Sequence, residues 1–112
     1  MNEIVSLLII KESEDKERTY EVANTRIYWM FLRPKKEVLR VEFDTKDDAI
    51  IKDLIDYGRS KKIITLIVYN PSENKPISFN GMVDMIVYAS SGITAVEMKS
   101  VETEPEMNES KN

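Results

Sequence analysis

The side chains in this sequence with the chemistry to act on a substrate are carboxylates, hydroxyls and cations. Histidine and cysteine are both absent. That removes the group that titrates near neutrality, the commonest nitrogen ligand for metals, and every thiolate. Ser–His and Cys–His nucleophile pairs therefore cannot form within the chain. Asp44, Asp47 and Asp48 are close enough in sequence to offer oxygen ligands to a hard divalent cation. Their spacing is not that of an EF-hand loop, and it equally suits the start of a helix, where acids cap and complement the dipole. Asp84 and Glu97 are candidates for an acid–base pair, but nothing in the sequence brings them together. Ser60-Lys61 and Ser90-Ser91 lack any supporting motif and read as turn residues. Three glycines in the whole chain cannot build a phosphate-cradling loop. These residues point to no catalytic group, metal or cofactor, so the expectation is a non-enzymatic protein.

Binding chemistry is better represented. Between positions 26 and 40 lie Arg26, Arg33, Lys35, Lys36 and Arg40 against a single acid, Glu37. Tyr28, Trp29 and Phe31 are interleaved with them, and Arg59, Lys61 and Lys62 form a second basic cluster. Cations for a backbone with aromatic faces for bases is the composition of single-stranded RNA sites. The RNA reading uses Arg26, Tyr28, Arg33, Lys35, Lys36, Arg40, Arg59, Lys61 and Lys62. Against it, Trp29 and Phe31 share parity with Ile27 and so point to the core, with Tyr28, Met30 and Leu32 turned towards the helix. The net charge is -4, most of it in residues 102–112, which leaves the rest nearly neutral. A nucleic-acid binder is expected to carry a strong positive field. A small β-rich domain offers strand edges to other proteins, and Met82, Met85 and Met98 are adaptable contact residues. The expected function is thus regulatory or accessory, through a protein partner, with RNA binding as the alternative.

The element that must position these groups is a helix over 44–58 (DTKDDAIIKDLIDYG). Asp44 or Thr45 can cap it, and Ile50, Ile51, Leu54, Ile55 and Gly58 recur at helical spacing. Gly58 is expected to end it in the left-handed conformation. So short a helix is marginal alone and needs a sheet beneath it. Residues 4–10 (IVSLLII) and 63–69 (IITLIVY) are apolar on both faces and read as buried strands. The stretch 11–18 is a charged loop, 19–24 a returning strand and 26–32 an aromatic central strand. Residues 38–43 alternate like a half-buried strand. Asn80-Gly81 reads as a hairpin turn between 77–79 and 82–88, Ser90-Ser91-Gly92 as another turn, and 93–101 as the last strand.

The predicted fold class is α+β: a mostly antiparallel curved sheet, or partly open β-barrel, of seven to eight strands with one amphipathic helix at about 45–57 packed on it. Periodicity does not choose between barrel and open sheet. Residues 1–101 form the expected single domain, and 102–112 an acidic, disordered tail. No apolar run reaches the roughly 18–20 residues needed to span a bilayer. No basic segment precedes the first apolar run, so it does not read as a signal peptide. With no cysteine to suggest an oxidising compartment, the expectation is a cytoplasmic protein with no membrane partner.

Overall fold

The computed structural model describes residues 5–33, 36–71, 75–88 and 93–101. Six strands and one helix follow in the order β1 (Val5–Ser13), β2 (Lys16–Arg33), β3 (Lys36–Asp44), α1 (Asp48–Ser60), β4 (Ile64–Tyr69), β5 (Ile77–Tyr88) and β6 (Ile93–Ser100). The sheet is antiparallel throughout and closes on itself in the order β1-β2-β3-β6-β5-β4. Two meanders, β1-β2-β3 and β4-β5-β6, are joined edge to edge at β1–β4 and at β3–β6. The chain thus has a structural duplication with no matching repeat in its sequence.

The strand count is six because two expected breaks are absent. Residues 19–24 and 26–32 belong to one strand of 18 residues. A bulge between Ala23 and Arg26, with Asn24 at φ 55°, bends it without ending it. Asn80-Gly81 is not a turn either, since β5 runs straight through it. Gly81 lies opposite Ser100, and a β-carbon built on it would fall 2.2 Å from the Lys99 carbonyl oxygen. The glycine is there for close backbone approach rather than for a reversed φ. The charged loop shrinks to a tight turn at Glu14 and Asp15, with both strands running into it. The expected turn at Ser90-Ser91-Gly92 and the acidic tail at 102–112 lie outside the described residues.

Leu8, Ile10, Leu39, Val41, Phe43, Leu66, Val96 and Met98 fill the ring and are buried. Alternation along each strand sends Leu7, Ile9, Arg40, Glu42, Ile67 and Met85 outward. The helix packs mainly on β5. Its buried stripe is Ile50, Leu54 and Tyr57, while Ile51 is half-buried and Ile55 is exposed. Burying an aliphatic side chain such as Ile50 or Leu54 is worth up to roughly 1.5–3 kcal/mol. Asp47, rather than Asp44 or Thr45, caps the helix, its Oδ1 accepting from the Ala49 N–H at 2.9 Å. The helix passes through Gly58 to Ser60, and Lys61 takes the left-handed position at φ 55°.

Polar contacts fasten the helix to the β1–β2 hairpin. Tyr20 and Arg18 both donate to Asp53, the guanidinium at 2.9 Å. The Tyr57 hydroxyl donates to Glu12 at 2.6 Å, and Lys62 donates to the same carboxylate at 3.1 Å. Among the described residues, no helix is long and apolar enough to cross a membrane.

Candidate functional site

The carboxylates expected to offer metal or acid–base chemistry stand in structural roles. Asp47 caps the helix, Asp48 stands in its first turn, and Asp44 accepts from Asn24 at 2.9 Å. Asp84 pairs with Lys99 at 3.3 Å and Glu97 with Arg40 at 2.6 Å, so each answers a different cation. No cluster of three or more potential metal ligands occurs among the described residues. Ser60 Oγ donates to the Tyr57 carbonyl at 3.3 Å, which is a helix-end contact. A shallow open groove of about 470 Å³ lies between α1 and Tyr88, floored by Ile51 and Ile55 and rimmed by Asp48, Lys52, Asp56 and Arg59. Its rim mixes two aspartates and two cations around two isoleucines, with Asp56 beside Ile55 and Arg59 at the helix end.

The described members of the RNA reading stand on different elements, β2, β3 and the end of α1. Arg26 and Tyr28 project outward from β2, and Arg40 projects outward beside Tyr28 from β3. Arg40 is neutralised by Glu42 at 3.1 Å and Glu97 at 2.6 Å, and hydrogen bonds to these two carboxylates hold its pKa above the ordinary value. Lys36 is half-buried at the start of β3. Arg59 and Lys61 sit at the helix C-terminus, and Lys62 is held by Glu12 of β1. The side chain of Arg33 and all of Lys35 lie outside the described residues.

What the structure does concentrate is aromatic surface along a strand edge. β1 pairs with β2 only as far as Ala23. From Arg26 to Arg33, β2 is paired with β3 on one side, and among the described residues no strand lies on the other. The corresponding stretch of β5, beyond Gly81, also lacks a β4 partner, but there α1 packs alongside. Tyr28 is 43% exposed, Trp29 42% and Phe31 71%. Trp29 leans on the buried Phe79 at 5.6 Å and stacks with Phe31 at 6.4 Å, the last two rings only 11° from parallel. The three rings run from the core out to the rim.

Parity placed Trp29 and Phe31 beside Ile27 on the inner side, and that placement holds. They are nevertheless exposed, because this part of β2 continues past the residues that would cover it. Nor does the helix cover Tyr28 and Met30, which face outward while α1 lies on the inner side against β5. Among the described residues β1 pairs with β2 only from Ala23 to Lys16, which leaves Trp29 and Phe31 without a strand beside them. Of the three methionines, Met98 is core, Met82 half-buried and Met85 49% exposed. Comparison with protein-family models, curated proteins and solved structures finds no match for this chain.

Proposed function

We propose that this chain is a small regulatory or accessory binding protein that takes an extended segment of a protein partner onto the edge of β2 left unpaired among the described residues. The observation that carries the reading is the edge from Arg26 to Arg33, unpaired among the described residues and flanked by exposed Tyr28, Trp29 and Phe31. Soluble proteins ordinarily shorten, charge or cover such an edge, because it is a template for another strand. Here the middle of the edge is aromatic. In strand addition, main-chain hydrogen bonds supply affinity and alternate side chains supply selectivity. Tyr and Trp are the residue types most often found as energetic anchors at interfaces.

The test is selection of extended peptides from a random display library on the full chain, followed by amide hydrogen exchange. Peptides acting as proposed slow exchange within 26–33 and lose binding when Phe31 is changed to Glu, with no change in melting temperature. Protection confined to other surfaces, or binding indifferent to Phe31→Glu, refutes the reading.

The second reading, single-stranded RNA, draws on the same near-parallel Trp29 and Phe31 rings as a stacking platform. The dispersed cations and the neutralised Arg40 weigh against it. Affinity for an oligouridylate that falls steeply with salt, and that Lys35→Glu with Lys36→Glu abolishes, would favour it over a protein partner.

A further inference from the structure

Resting on that reading, we infer the chemistry of the partner: an acidic extended segment in which carboxylates alternate with aliphatic residues. The sequence of the edge, RIYWMFLR, contains no acid and has a cation at each end. Arg26 is exposed and has no ion pair among the described residues. Glu42, which stands opposite it on β3, is already bound through Oε2 to Arg40 at 3.1 Å. A carboxylate on an added strand, on the same face and beside Arg26, would meet a cation with no competing acid among the described residues. The opposite face of the edge presents Trp29 and Phe31, which are wide and apolar, so the alternate positions of the added strand suit Val, Ile or Leu.

The probes are an acetylated and amidated eight-residue peptide alternating Val and Glu, the same peptide with Lys for Glu, and a Val/Glu version N-methylated at alternate residues. Each is titrated into the full chain and followed by the fluorescence of Trp29, the chain's single tryptophan. The Val/Glu peptide is expected to bind at least about tenfold tighter than the Val/Lys peptide. N-methylation should abolish binding, and Arg26→Glu should reverse the preference. Equal binding of the Glu and Lys peptides, still sensitive to N-methylation, overturns the acidic preference and leaves strand addition standing. Val/Glu binding indifferent to N-methylation overturns strand addition itself. No binding by the Val/Glu peptide at millimolar concentration overturns both. Displacement of the peptide by an oligouridylate assigns the edge to nucleic acid. A gain of about tenfold or more on deleting 102–112 would make this chain's own acidic tail the occupant instead of a partner.

Discussion

Two glycine-to-alanine substitutions, one added methyl each, should move stability in opposite directions. At Gly81 the new β-carbon would lie 2.2 Å from the Lys99 carbonyl oxygen and 3.0 Å from a Phe79 ring carbon. Its nearest neighbour is backbone, so relief requires β5 and β6 to part by nearly an ångström. Lys99 is itself paired with Val38, so the displacement reaches the β3–β6 seam. Overpacking of this kind costs about 1–3 kcal/mol. A weakened ladder hydrogen bond adds about 1 kcal/mol. The stiffer unfolded chain returns about 0.4–1 kcal/mol. With overpacking near the top of its range, the net loss is about 3 kcal/mol. At roughly 4 °C per kcal/mol for a chain of this size, the melting temperature should fall by about 12 °C. At Gly58 the new β-carbon would lie 3.5 Å from Val83 Cγ1, an ordinary contact, inside a helix. There alanine gains about 0.8–1.0 kcal/mol of helix propensity, or about 4 °C. Thermal unfolding followed by circular dichroism measures both. A Gly81→Ala protein melting within about 2 °C of the parent would refute the claim that the β5–β6 approach requires glycine.

Lys61→Gly should raise stability by about 1 kcal/mol, because Lys61 holds φ 55° at the helix end; denaturant titration reads the shift. Leu54→Asp should prevent folding at physiological temperature, since Leu54 is fully buried on the core face of the helix and a carboxylate there finds no solvent; loss of the cooperative transition checks it. Glu12 is held below its ordinary value of 4.5, first by the Tyr57 hydroxyl and then by Lys62. A lowered folded-state pKa stabilises above the unfolded value and loses that contribution as pH falls through the folded one. Stability should therefore decline on acidification below 4.5, and Glu12→Gln should flatten that limb. Tyr20 is pushed up to about 12 by burial and its bond to Asp53, so its contribution is complete below 10.0 and vanishes as pH rises towards 12. Tyr20→Phe should reduce this alkaline dependence, the remainder coming from Tyr57, whose hydroxyl is likewise pushed up by burial and its bond to Glu12.

The helix was legible because its apolar residues recur at 3.6 and acids precede them. Its ends were displaced by a few residues because several neighbouring groups could cap it. Asp47 took the role, while Thr45 Oγ1 accepts from the Asp47 N–H at 3.1 Å instead. The strands were legible as apolar runs, but their continuity was not. Asn24 and Asn80-Gly81 carry the composition of turns, and here one is a bulge and the other a close crossing of backbones. Ring closure had no local signal, because the pairs Ile9 with Ile67 and Val41 with Val96 are set by long-range geometry alone. The exposed edge of β2 was hidden for the same reason: whether Trp29 is core or rim depends on where another strand stops. The individual cations were visible in the sequence, but their neutralisation, Arg40 by Glu97 above all, was not.

The two halves of the sheet are held together by seams that carry no record of which molecule supplied each strand. Residues 5–44 of one polypeptide can meet 64–100 of another through the same β1–β4 and β3–β6 registers. The segment around α1 would then act as the hinge of an exchanged dimer. Refolding at high concentration should accordingly yield an intertwined species with the circular dichroism of the monomer, separable only by unfolding.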